Sequence, residues 1–445
     1  MALARVHARA LVGVEARPVS VEVDIAGGLP AFNLVGLPET AVRESRDRVR
    51  SAIQNAGFEF PQRRITVSLA PADLPKEGSR FDLPIALGLL AASGQIPNQV
   101  LSNREFAGEL SLGGELRDVP GALPATLAAT DKNRTIVLPR ACAAEAALVA
   151  GADIRISDSL IGVVKWLRGL DELASAEPVA TASPRFPDMQ DVLGQHLARR
   201  AIELAAAGGH NLLMVGPPGS GKSMLASRLP GLLPPLDTPT ALASAAVQSV
   251  SRAGFDPASW AAPPFRCPHH TVSGVALVGG GALASPGEIS LAHGGVLFLD
   301  ELAEFPRAVL DVLREPMESG VIHIARARRQ ATYPAAFQLV AAMNPCPCGY
   351  FGDGARTCRC TAEQVQRYQS RLSGPLLDRI DLHVVVAAAN YASLQREAKS
   401  ERSADIKARV IAARALQFER QRCLNAQLPV SDLDRVCAIG ADANA

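Results

Sequence analysis

Residues Gly216-Pro217-Pro218-Gly219-Ser220-Gly221-Lys222-Ser223 put a lysine and a hydroxyl at the end of a glycine-rich turn. Backbone N–H groups in such a turn point inward around phosphate oxygens, and a helix opening behind them adds partial positive charge. The lysine then reaches the terminal phosphates, and the serine hydroxyl suits a magnesium ion. The flanking sequence has the required order: the apolar run Leu212–Val215 precedes the turn, and Met224-Leu225-Ala226 opens a helix after it. About eighty residues on, the apolar run Val296–Leu299 ends in Asp300 and Glu301. One carboxylate there can hold magnesium while the other polarises an attacking water. An acid pair at a strand end is common by itself. Joined to the phosphate turn at this spacing, it reads as a site that binds ATP with magnesium and hydrolyses it.

Other residues are candidates with a competing structural reading. Asn344, after the apolar run 339–342, can hydrogen-bond a terminal phosphate or the attacking water, or simply form a turn before Pro345. Arg379, between Asp378 and Asp381, is either a salt-bridged surface residue or a finger that reaches a neighbouring subunit's nucleotide, which requires a homo-oligomer. Alternation through 321–333 predicts a hairpin whose tip carries Arg326, Arg328 and Arg329. These arginines are read as contacts to DNA phosphates, against a solvated charged turn. The segment around His269, His270 and Gly279-Gly280-Gly281 is a second loop candidate, and the paired histidines receive no catalytic role. Cys346, Cys348, Cys358 and Cys360 form two C-x-C pairs within fifteen residues. Four thiolates this close can enclose a tetrahedral zinc, against reduced free thiols or a redox-sensitive pair.

The elements that must hold these residues follow from pattern. Short all-apolar runs at Leu212–Val215, Val296–Leu299, 339–342 and 383–386 alternate with helical stretches. That pattern predicts a parallel sheet buried on both faces, an α/β fold. A helix is expected over 191–207, with Val192, Leu193, Leu197, Ile202 and Leu204 as its apolar positions and Gly208-Gly209 as its stop. Before it, residues 1–172 mix strand alternation at 19–25 and 64–69 with a helix near 83–92 and a strand at 135–138. Residues 173–187, rich in Ala, Ser and Pro, are the linker candidate. Charge is balanced, with 45 Lys+Arg against 44 Asp+Glu, which excludes a globally basic DNA-coating protein but allows local basic loops. The chain has no long uncharged apolar stretch and no secretory start, and is read as cytoplasmic with no membrane partner.

Longer strings carry a family resemblance. They are Gly216 to Ser223, Phe265 to Ser273, Pro286 to Leu302, Ala342 to Gly349 and Ser373 to Asp381. Together they resemble the magnesium-chelatase-like AAA+ family, most closely its ComM (YifB) branch, and the likeness covers nearly the whole chain. The resemblance implies a P-loop AAA+ domain over 188–390, with the cysteine-rich excursion at 345–361 and a partial helical lid over 391–445. It implies a ring, a hexamer, coupling ATP hydrolysis to movement on single-stranded or branched DNA, with branch migration during integration of transforming DNA. The alternatives are a chelatase-type ATPase inserting metal into a tetrapyrrole, and an ATP-binding assembly factor with little turnover. Residues 1–172 resemble a Lon-protease-type α+β domain. Arg80 stands where its serine would be and Ala125 where its lysine would be. Ser79 is the adjacent alternative nucleophile, and the domain is read as non-proteolytic, serving DNA contact or ring assembly. Family members continue into a lid with a further arginine sensor, so the chain is expected to be truncated relative to them.

Overall fold

The computed structural model describes residues 2–36, 40–177, 185–281, 284–326, 329–352, 354, 356–388 and 400–437. The chain divides into two units, 1–182 and 183–445, except that residues 245–257 and 329–331 group with the first.

The first unit is built on an eight-stranded mixed sheet. Its order is Ala174–Ser175, Ile154–Ser157, Thr135–Pro139, Arg104–Phe106, Ala2–Val12, Glu15–Ala26, Arg64–Ala70 and Ala31–Val35. The two long central strands pair antiparallel as a hairpin, from Ala2 opposite Ile25 to Val12 opposite Glu15. Ala4, Val6, Ala8 and Ala10 are all buried and alternate strictly, as one face of a strand must. The opposite face contributes Arg9, also buried, whose guanidinium clamps Glu105 at 2.5 and 2.9 Å. The helix Asp82–Ala92 has no polar side, and every residue in it is buried. The linker expectation is corrected at its start: Ala174–Ser175 is an edge strand paired with Ile154–Ser157. Residues 178–184 lie outside the described residues.

The second unit carries a five-stranded, all-parallel sheet in the order Phe265–Arg266, Val296–Leu299, Gln338–Met343, Leu212–Val215 and Leu382–Val385. The phosphate-turn strand therefore runs beside the Asn344 strand, and the acid strand lies one further out. Val296–Leu299 and Gln338–Met343 are buried at every position, as the apolar runs required. Helices flank the sheet, giving the α/β architecture expected from pattern.

The first helix of this unit departs from expectation. It spans His196–Gly208 rather than starting at 191, because Gly194 and Gln195 both take positive φ and break any helix there. Its buried face is Ala198, Ile202, Ala205 and Ala206, while Leu197 is 76% exposed. The small side chains let the helix Ser403–Gln421 approach closely. Arg414 of that helix donates to the Ala206 carbonyl at 2.9 and 2.6 Å, and Arg409 pairs with Glu203 at 2.8 Å. Ile406 and Val410 join the same core as the sheet. Among the described residues no helix is long and apolar enough to cross a membrane.

Candidate nucleotide site

The phosphate turn leaves its strand at Gly216, where a side chain is excluded: a Cβ would lie 2.2 Å from the Val386 carbonyl oxygen. The neighbouring strand thus presses the turn into shape. Gln195, not singled out in the sequence, holds the far side, its amide donating to the Ser220 and Ala387 carbonyls at 3.2 and 2.8 Å. Asn211 joins three strands at the opposite end of the sheet. It donates to the Arg379 carbonyl at 2.9 Å and accepts from the Leu339 N–H at 2.8 Å, while its own N–H meets Asp381 at 2.8 Å.

Behind the turn, Lys222 is buried. Its ammonium donates to the Gly216 and Pro217 carbonyls at 2.8 and 2.9 Å and stands 3.4 Å from the Asn344 side-chain oxygen. Burial draws its pKa below the usual lysine value, and the Asp300 charge opposes that. The Ser223 hydroxyl hydrogen-bonds Asp300 Oδ2. The Glu301 N–H donates to Asp300 Oδ1 at 2.9 Å. Pro218, Gly219, Ser220, Gly221, Lys222, Ser223, Asp300, Glu301 and Asn344 all line one open cavity of about 390 Å³. Residues from three parallel strand ends, distant in sequence, thus converge on one space. The serine hydroxyl and the aspartate oxygen that magnesium needs already touch, so the donor set fits that ion.

Models of the family described as magnesium chelatase, subunit ChlI, match residues 188–394 and, for its C-terminal part, 400–445; a further ChlI model matches 21–142. YifB of Salmonella typhimurium is 51% identical over 449 residues, covering 99% of this chain and 87% of that protein. Competence protein ComM of Haemophilus influenzae is 49% identical over 447 residues, with 99% and 87% covered. The chain belongs to the magnesium-chelatase-like AAA+ family.

In this member of the magnesium-chelatase-like AAA+ family, Arg379 is not one of the residues lining the cavity. Its guanidinium pairs with Glu318 and donates to the Pro375 carbonyl at 2.6 Å. The expected hairpin forms from Val321–Arg326 and Arg329–Pro334, with Ile322, Ile324 and Tyr333 buried. Arg328 and the side chains of Arg326 and Arg329 lie outside the described residues.

The four excursion cysteines converge. The sulfurs of Cys346, Cys348, Cys358 and Cys360 lie within 4.8 Å of one another. The separations Cys346–Cys348, Cys346–Cys358 and Cys348–Cys358 are 3.4, 3.7 and 3.5 Å. Tetrahedral zinc with bonds near 2.3 Å needs sulfurs about 3.8 Å apart, so the donor set fits. Backbone N–H groups of Arg359 and Tyr350 bring the Cys348 thiol down to about 6. The excursion also leans on the phosphate turn: at Gly349, with φ 87°, a Cβ would lie 2.5 Å from Pro218 Cδ.

In the first unit Arg80 is buried, its guanidinium donating to the Pro120 carbonyl, and burial pulls its pKa down to about 10. Ser79 donates to Glu109, and Ala125 is buried. His270 Nδ1 lies 2.9 Å from Glu301 Oε2, a contact between residues thirty-one positions apart that no local pattern announces.

Proposed function

We propose that this chain is an AAA+ ATPase that couples ATP hydrolysis to movement on DNA. The fuller reading is a hexameric ring helicase in the cytoplasm that promotes branch migration when transforming DNA is recombined. The convergence of Lys222, Ser223, Asp300, Glu301 and Asn344 on one cavity carries the ATPase part. The DNA part rests on 49% identity to a competence protein across 99% of the chain.

In this reading Lys222 binds the terminal phosphates, and Glu301 accepts a proton from the attacking water. Asn344 orients that water or the last phosphate. Ser223 and Asp300 would hold magnesium, which when bound offsets phosphate charge. Arg379 serves the site of an adjacent subunit, and Arg326, Arg328 and Arg329 grip the DNA backbone. The four cysteines hold a structural zinc that closes an excursion with no apolar core of its own. The first unit is non-proteolytic, in keeping with a buried Arg80 and an alanine at position 125.

The match to chelatase-subunit models also favours a second reading, an ATPase driving metal insertion into a tetrapyrrole. ATP turnover measured with and without single-stranded and forked DNA separates the two. Stimulation of several-fold or more by DNA supports the motor. Turnover indifferent to every DNA tested would leave the chelatase reading, and binding without turnover would leave an assembly factor.

A further inference from the structure

Arg379 is assigned above to the nucleotide of an adjacent subunit, yet its head group is occupied. One arm pairs with Glu318, and the other donates to the Pro375 carbonyl at 2.6 Å. Its Nε–H is buried and meets no acceptor among the described residues. A guanidinium carries its N–H donors in a fixed fork, so this hold leaves it incompletely satisfied. Triphosphate oxygens, more numerous and more highly charged than one carboxylate, would compete for it.

The backbone beneath that side chain is fixed. The Arg379 carbonyl accepts from the Asn211 amide at 2.9 Å, and its N–H donates to the Leu376 carbonyl at 3.1 Å. Leu376 and Ile380 are both buried. A change of partner at Arg379 is therefore a movement of the side chain alone.

Glu318 lies in the helix Arg314–Ser319. Two residues on, the chain turns at Gly320, with φ 69°, and enters the hairpin strand Val321–Arg326. The Gly320 N–H donates back to the Pro316 carbonyl at 2.9 Å, and its carbonyl accepts from the Ala335 N–H at 2.7 Å. The Ser319 hydroxyl bonds the Glu315 carbonyl at 2.9 Å in the same corner. The helix that carries Glu318 and the foot of the hairpin are thus tied by hydrogen bonds, and a displaced hairpin carries Glu318 with it.

We infer that the Glu318–Arg379 pair is a latch: Glu318, at the foot of the hairpin proposed to grip DNA, keeps Arg379 from the neighbouring nucleotide until the hairpin is engaged. The inference rests on the function proposed above, which assigns Arg379 and the hairpin their roles, and adds the link between them. Glu318 is then a restraining residue, and its removal should speed the reaction. With Glu318 58% exposed, the pair is a surface one, and such pairs shift an equilibrium by at most about fivefold.

The test uses the full chain with Glu318→Gln, Arg379→Ala and the two combined. Turnover of magnesium ATP is measured without DNA and with saturating single-stranded DNA, beside binding of a fluorescent ATP analogue. Glu318→Gln is expected to bind the analogue as the parent does and to turn over about two- to fivefold faster without DNA. Its rate at saturating DNA stays parental, so the stimulation ratio falls by the same factor. Arg379→Ala lowers both rates at least about a hundredfold, and Glu318→Gln adds nothing in that background. A pair that merely supported the fold would lower turnover when broken. Turnover of Glu318→Gln without DNA at or below the parental rate overturns the inference, as does a rise equal with and without DNA; a parent stimulated by DNA keeps the motor reading intact in both cases. If Glu318→Gln binds the analogue poorly, Glu318→Ala decides by the same two rates. A parent indifferent to DNA, or Arg379→Ala at the parental rate, overturns the assigned roles and the inference together.

Discussion

In the proposed ATP site, Lys222 is the residue on which phosphate binding would depend most. Its ammonium is buried among the carbonyls of its own turn, within reach of Asn344 and close to the Asp300 charge. Charge-assisted hydrogen bonds contribute about 1.5–3 kcal/mol each, so Lys222→Ala should weaken ATP binding at least a hundredfold, by roughly two such bonds. Fluorescence titration checks this, and unchanged affinity would remove the lysine from the site. Glu301→Gln should bind ATP within a few-fold of the parent and lose about 10²–10⁴ in kcat; single-turnover hydrolysis at the parental rate would exclude it as the base. These residues were legible because contiguous sequence dictates them, a glycine turn between a strand and a helix and two acids after an apolar run. His270 was not. Its meeting with Glu301 depends on how one loop folds over another, and a pair of histidines advertises nothing about its partner.

At the scale of elements, apolar runs revealed the parallel strands because both faces of that sheet are covered. The first strand of the chain went unread. Its alternation is present in Ala4, Val6, Ala8 and Ala10, but Arg5, His7 and Arg9 between them leave the stretch only weakly apolar. One of those arginines, Arg9, is in fact buried against Glu105. The helix His196–Gly208 differs in part for a related reason: of its expected apolar positions Ile202 is buried, but Leu197 and Leu204 are exposed, and alanines complete the buried face because a second helix lies against them. A further consequence concerns Asp82, at the start of an entirely buried helix. Burial pushes its carboxyl up to about 6, against the opposing pull of Arg48 at 2.8 and 3.1 Å. The folded state therefore holds a proton at pH values where the unfolded chain has released it. Its stabilising contribution is complete below about pH 4 and is lost as pH rises through about 6, on the order of 2–3 kcal/mol. Denaturation of the first unit, followed by Trp166 emission in a Trp260→Phe background, should show stability falling across that window. Asp82→Asn should flatten the slope.

For the whole molecule, the two units and the near-complete match to relatives set the expectations. If the hairpin arginines grip DNA, replacing Arg326, Arg328 and Arg329 by alanine should weaken binding across sequences alike. It should also reduce the slope of log affinity against log salt by about one for each phosphate that the variant no longer neutralises. An unchanged slope would return the hairpin tip to solvent. The approach of Gly349 to Pro218 reaches further, because it sets the cysteine excursion against the turn proposed to receive phosphate. Two ligands that press on one wall are thermodynamically linked, and the linkage is reciprocal. By whatever factor a bound triphosphate changes the equilibrium affinity for zinc, zinc must change triphosphate affinity by the same factor. Paired titrations, zinc with and without an unhydrolysed ATP analogue and the analogue with and without zinc, should return matching ratios different from one. Ratios of one would mean that the excursion and the proposed nucleotide site ignore each other; any other value makes this cysteine cluster a dial on nucleotide affinity.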